Sequence, residues 1–291
     1  MKFKPFLAIL VSMMLAGCGE ETSVSPMPTE EPSKEVSVTP TPTIEPITIP
    51  GLNLEMMPIP AGTFVMGSPN DEEGRDDVEG PQTTVTITKP FWLGKTEVTQ
   101  SQWRAVMGNT PSSFKGDDLP VEQVSWNDAV VFCEKLNEMN RDTLPVGYHY
   151  TLPTEAQWEY ACRAGTTIRF YHGDDPGYIE LEKYAWYRNN SSGKTHPVGE
   201  KLPNGWGLYD MHGNVYEWCL DWYDDYIGGS VSDPQGPQSG PSSTNSTRVN
   251  RGGGWFDAAR YCRSSFRGRN WPGSTYIHLG FRVALSSVPS E

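Results

Sequence analysis

Only three stretches of this chain carry the signals of a helix, and each is short. Thr99 with Gln102 makes a capping box ahead of Trp103, Val106 and Met107, and Gly108 can end that helix. Ser125 can cap a second, in which Ala129, Phe132, Cys133 and Leu136 recur at helical spacing. Thr154 with Gln157 caps a third, which buries Trp158, Ala161 and Cys162 before Gly165 stops it. Between and after these lie short β-like runs such as Thr83 to Thr88, and long stretches rich in Gly, Pro, Asn and Trp. A chain so poor in regular elements must fill its core with something other than stacked layers. It holds ten Trp and thirteen Tyr residues, and large rings can take that place. The expected fold is α+β, with few helices and low regular secondary structure.

The N-terminus reads as an address. Lys2 and Lys4 form a basic start, Phe6 to Leu15 an apolar segment, and Leu15-Ala16-Gly17-Cys18 a small-residue cleavage site that looks like a lipobox. The apolar segment falls well short of the roughly 20 residues of a spanning helix. Residues 1–18 are therefore expected to be a lipoprotein signal peptide, with Cys18 the lipid attachment site that ties the chain to a membrane. Gly19 rather than Asp follows Cys18, which by resemblance to lipoprotein sorting rules points to the outer membrane of a bacterial cell envelope. Residues 19–50 are rich in Pro, Ser, Thr and Glu and nearly devoid of aromatics, the composition of a disordered tether. The folded domain is placed at 51–287.

Formal net charge is -13, and most of it stays with the folded part. An acidic domain argues against nucleic acid as a partner and is compatible with calcium binding. Apart from Cys18 there are four cysteines, Cys133, Cys162, Cys219 and Cys262, which in an exported protein could form two disulfides in any pairing. No Cys/His cluster has zinc spacing, no histidine pair falls at i, i+4, and neither a GxSxG elbow nor a GK[ST] phosphate loop is present.

Motifs in order along the chain carry a family resemblance. They are Met57 to Ser68 (MPIPAGTFVMGS), Lys95-Thr96-Glu97-Val98-Thr99, Val124 to Ala129 (VSWNDA), Leu152 to Glu159 (LPTEAQWE), Gly205 to Trp218 (GWGLYDMHGNVYEW), the glycine cluster Gly252-Gly253-Gly254, and Leu279-Gly280-Phe281-Arg282. Together they resemble the formylglycine-generating enzyme, or sulfatase-modifying factor, superfamily. The resemblance implies its complex C-type-lectin-like fold. It also implies a structural calcium ion, because Asp210, Gly213, Val215 and Glu217 match a calcium site of that enzyme. Two carboxylates bracketing a Gly-Asn turn suit such an ion, with the carbonyls of Gly213 and Val215 turned inward.

The enzymes of this superfamily oxidise a substrate cysteine with two copper-binding cysteines. Aligned from Gly252-Gly253, the first of these positions is Asp257 and the second Cys262; aligned backward from Pro272, Arg263 and Arg267 match family arginines and Cys262 falls on neither. At most one thiol remains, and an Asp oxygen is a poor ligand for Cu(I), so copper is not expected. The resemblance further implies that Cys162 and Cys262 form a disulfide. What remains is a loop rich in recognition residues: Asp257, Arg260, Tyr261, Arg269, Trp271, Tyr276 and His278 as ligand-binding candidates, with Trp255, Arg263, Arg267 and Phe281 as core. Its framework resembles variable proteins diversified by retroelements in this fold, although Trp271 lies outside the residue set that adenine mutagenesis of asparagine codons yields.

The expected function is a lipid-anchored envelope protein whose domain binds a protein, peptide or glycan. One alternative is an oxidoreductase of the superfamily acting on a thiol or peptide through Cys262. Another is a structural accessory subunit of an envelope complex.

Overall fold

A computed structural model of the chain describes residues 44–240 and 246–287. The expected signal segment, Cys18 and residues 19–43 of the expected tether lie outside the described residues. The first described strand, β1 (Ile47–Ile49), pairs antiparallel with β2 (Leu54–Ile59), so the folded domain begins a few residues earlier than composition suggests. Ile49 is buried there, and this apolar anchor is what composition alone averages away.

In chain order there follow β3 (Gly62–Met66), β4 (Thr83–Ile87) and β5 (Phe91–Gly94), then helices α1 (Gln100–Met107) and α2 (Trp126–Met139). Next come β6 (His149–Thr151), helix α3 (Glu155–Arg163), β7 (Tyr216–Trp222) and β8 (Gly229–Ser232). The chain closes with β9 (Arg248–Arg251), β10 (Gly268–Asn270), β11 (Leu279–Gly280) and β12 (Ala284–Ser286). This is the expected α+β class. All three helices start on the expected residues, with reciprocal capping boxes at Thr99/Gln102, Ser125/Asp128 and Thr154/Gln157. Gly108 ends α1 in the left-handed region, whereas α3 ends one residue before Gly165, on Ala164.

The strands form three small sheets, in the orders β1-β2-β5-β12-β6, β10-β9-β7-β11 and β3-β4-β8. Pairings are antiparallel except β11 with β7 and β4 with β8. Two of them build the site. Strand β12 lies between β5 and β6, which carries Arg282, two residues ahead of it, to the end of β5, where it donates to Gly94 O at 2.9 Å. Within the second sheet, Glu217 of β7 stands opposite Arg251 of β9 and Gly280 of β11.

Rings do fill the core. Trp103 stacks on Phe132 at 5.6 Å, and Phe281 meets both edge-on, at 6.0 and 5.3 Å. The core also contains buried charge on a scale that the sequence reading did not foresee. Arg163, Arg251, Arg263 and Arg282 are among the largest fully buried side chains. One chain of ion pairs runs Arg163–Glu159–Arg251–Glu155–Arg267, with contacts of 2.8, 2.5, 3.0 and 2.6 Å. A buried pair is held only when its charges are matched and hydrogen-bonded, so this chain fixes α3 against β9 and against the Arg267 segment. Arg263 does the same for residues 72–79 through Glu72 and Glu79.

Candidate functional site

The expected calcium loop is a buried carboxylate cluster. Asp210 and Glu217 are fully buried, as is Arg282, and Glu97, just ahead of the Thr99 cap, is only 1% exposed. Arg282 takes both oxygens of Glu217, Nε to Oε2 and Nη2 to Oε1, each at 2.6 Å, and the Trp158 indole N–H adds a third bond at 2.7 Å. Glu217 is thereby committed to a guanidinium. Asp210, in the left-handed region, accepts from Gly199 N at 2.7 Å through Oδ2, and its Oδ1 receives no N–H or hydroxyl donor from the protein. Both oxygens of Glu97 are likewise buried without a protein N–H or hydroxyl donor, and its carboxyl is within hydrogen-bonding reach of Asp210, so the two acids can share a proton. Burial holds Glu97 well above the usual carboxylate range, helped by the charges of Asp210 and Glu217; burial also pushes Asp210 up to about 6.

Hard oxygens without N–H or hydroxyl donors suit a calcium ion. The oxygens free to hold one belong to Asp210 and Glu97, together with any carbonyls that the turn at Gly213 and Val215 supplies. Gly213 adopts φ +89, and a Cβ there would stand 2.3 Å from the Trp186 carbonyl oxygen, so only glycine fits this turn. Glu97 was missed in the sequence because it lies far from the loop; its presence in the Lys95 to Thr99 motif was the available signal.

Asp257 and Cys262, the positions that the alignment from Gly252-Gly253 sets against the enzymes' cysteines, both lie near Tyr216. Asp257 is 7% exposed; its Oδ2 accepts from Gly254 N at 3.1 Å, and its carboxyl also pairs with the Tyr216 hydroxyl. Burial pushes its carboxyl up to about 6. Cys262 is fully buried, and burial with the nearby Asp257 charge drives its thiol well above the ordinary range. A protonated, enclosed thiol beside a hydrogen-bonded carboxyl does not fit Cu(I), which wants accessible thiolates. The glycine cluster is what brings this thiol close: at Gly253, φ +75, a Cβ would fall 2.8 Å from Cys262 Sγ.

The expected Cys162–Cys262 disulfide is not formed. All four cysteines of the described residues are free and buried. Cys162 packs in the cluster around Trp158 and Met211, with its Sγ 3.9 Å from both Met211 O and His212 Nδ1. Cys262 packs in a separate cluster with Phe170, Leu181 and Tyr187. The two thiols therefore lie in different apolar surroundings.

The recognition loop divides into a buried frame and an exposed face. Arg263, Arg267 and Phe281 are core as expected, while Trp255 is half-buried, its indole N–H donating to Ile277 O at 3.0 Å. Trp271 and Tyr276 are 53% and 41% exposed, and Arg260 and Arg269 are exposed. His278 stacks on Tyr276 at 5.2 Å and tilts against Phe256 at 4.3 Å, and burial lowers its pKa to about 4, so it is a neutral ring. Behind it the rings continue from Phe256 to Trp255 and Phe114, each step 5.5 Å. One expected ligand residue belongs to the frame instead, since Asp257 is buried; Tyr261 is half-buried, its ring on Phe266 at 5.0 Å and its hydroxyl accepting from the exposed Arg260. Phe114 was missed; a lone aromatic in a Ser/Lys/Gly-rich loop gave no periodic signal.

The sulfatase-modifying factor enzyme 1-like domain family matches residues 48–287, and the chain belongs to that family. Its α+β architecture is accordingly the C-type-lectin-like fold of formylglycine-generating enzymes. Among solved structures, Treponema denticola variable protein 1 is similar with a TM-score of 0.72 at 34% identity, covering 84% of this chain and 99% of that one. The chaperone protein LppX of Paenibacillus barcinonensis is 33% identical over 242 residues, 67% of this chain and 80% of the relative. The formylglycine-generating enzyme of Mus musculus is 29% identical over a 306-residue alignment, 81% of this chain and 76% of the enzyme.

Proposed function

We propose that this chain is a lipid-anchored envelope protein that binds a protein, peptide or glycan through the face around Trp271 and Tyr276. One observation carries the reading: the exposed rings and the arginines Arg260 and Arg269 rest on a frame locked by buried ion pairs. A preformed aromatic and arginine surface binds without a large ordering cost. The kinship to a protein named as a chaperone favours a protein ligand, and the kinship to a variable protein favours the same loop as its contact region.

The oxidoreductase alternative draws on the kinship to formylglycine-generating enzymes and on the single thiol of Cys262. The buried, protonated state of that thiol weighs against it. Calcium, as a structural ion beside Asp210 and Glu97, belongs to the same proposal, as does attachment to the outer membrane through Cys18.

The test replaces Trp271, Tyr276 and Arg269 by Ala and compares capture of partners from an envelope extract. We expect capture to be lost with stability changed by no more than about 0.5 kcal/mol, because these side chains are exposed. Undiminished capture by a folded triple variant overturns the binding-face reading. For the anchor, Cys18→Ala is expected to move the protein from the membrane fraction to the soluble fraction.

A further inference from the structure

One cavity of the domain shares no lining residue with the aromatic face. Its volume is about 340 Å³, within the range of small-molecule sites. Met66 of β3, Val85 of β4, Val231 of β8, Trp222 and Pro234 give it apolar walls. Asp221 near the end of β7 and Glu155 at the start of α3 supply the polar wall, and the exposed Asp224 and Asp225 stand at its rim.

The charges around this cavity are unevenly matched. Glu155 is neutralised by Arg267, which donates to both its oxygens, and by Arg251, and it also accepts from the Tyr226 hydroxyl. The remaining donors of Arg267 go to the carbonyls of Val78 and Asp224. Asp221 is 4% exposed, and its Oδ2 accepts from Glu155 N at 2.8 Å, capping α3. The hydrogen bonds of both arginines go to other groups, so Asp221 feels the charge of Arg267 at a distance but has a backbone donor and no cation in contact. Burial and the charge of Glu155 push its carboxyl up to about 7. An ammonium group would supply the missing charge, and the apolar walls would take the body that carries it.

We propose that this cavity binds a small amphiphilic cation, a primary ammonium on an apolar body, with the ammonium against Asp221. Such a group is found in a free alkylamine and in a lysine side chain. The site stands apart from the aromatic face, so the two readings fail independently.

Binding is measured on the purified protein by NMR chemical-shift titration with n-hexylamine, its neutral counterpart 1-hexanol, and Nα-acetyl-lysine methylamide. Hexylamine is expected to shift the resonances of Val85, Val231 and Trp222 and to bind roughly tenfold more tightly than hexanol, the strength of one charge-assisted hydrogen bond. Its affinity is expected to fall from about pH 8 to about pH 5, as Asp221 takes up a proton, while that of hexanol stays level. Binding of the lysine derivative assigns the group to a peptide side chain; its failure beside binding hexylamine assigns it to a free amine. Asp221→Asn is expected to remove the preference for the amine. Should that variant unfold for want of the α3 cap, Val231→Trp fills the cavity from an edge strand and is expected to abolish binding. Equal affinities for amine and alcohol, no binding of either, or unchanged binding in Val231→Trp each overturn the proposal.

Discussion

Chelating calcium should loosen this protein, and the charges around Asp210 set the size of the effect. When ionised, Glu97, Asp210 and Glu217 are three buried carboxylates facing one buried guanidinium, Arg282. The excess negative charge sits where an unpaired ion costs several kcal/mol. A divalent cation would restore neutrality and would bridge Asp210 Oδ1 and Glu97, which otherwise have only each other and a shared proton. With free calcium about 100-fold above Kd, the ion stabilises the fold by about 2.7 kcal/mol. In a domain of this size each kcal/mol moves Tm by about 2–4 °C, so removal should lower Tm by about 5–11 °C. The assay is thermal unfolding followed by circular dichroism, with EGTA and then with calcium restored, on the wild type, Glu97→Gln and Asp210→Asn. Both variants should melt below the calcium-loaded wild type and ignore the chelator. The reasoning is refuted if the wild type melts identically with and without EGTA while Glu97→Gln is at least as stable. Gln is a neutral isostere of protonated Glu97, so that result would mean a proton, not an ion, quiets the cluster.

Arg263→Met should destabilise the domain by about 3–5 kcal/mol in urea unfolding, because it strands the buried carboxylate of Glu79 without its partner. A loss under about 1 kcal/mol would show that Glu79 finds another cation or a proton. Cys133, Cys162, Cys219 and Cys262 should resist alkylation in the native protein and all react in denaturant without reductant; a linked Cys162–Cys262 peptide would contradict the free thiols seen here. Asp221 should make stability fall as pH rises. Its native carboxyl keeps a proton up to about 7, while the unfolded one loses it near 4, so the loss accrues between those values and is complete above them. Asp221→Asn should flatten that slope in unfolding midpoints measured across the interval; an unchanged slope would assign it to other groups.

Much of this protein is determined locally, and that part was legible in the residues. A capping box joins positions three apart, so Thr99, Ser125 and Thr154 announce the helix starts whatever surrounds them. The abundance of rings foretold an aromatic core, and the ordered motifs from Met57 to Arg282 foretold the family. The start of the domain was blurred because Ile47 and Ile49 sit inside a Pro/Thr-rich run.

Tertiary structure decided the chemistry. Only the pairing of β12 between β5 and β6 brings Arg282 to Glu217, and only then does Glu97 replace Glu217 as the carboxylate with free oxygens beside Asp210. Asp257 carries the residue type of a binding loop, yet it is buried and taken by Tyr216 and Gly254. Whether Cys162 meets Cys262 depends on which apolar cluster each enters, and they enter different ones. A side chain's type and its near neighbours are written in the sequence. Its charge state and its partner depend on burial and on groups that arrive from distant segments, and those exist only once the chain has folded.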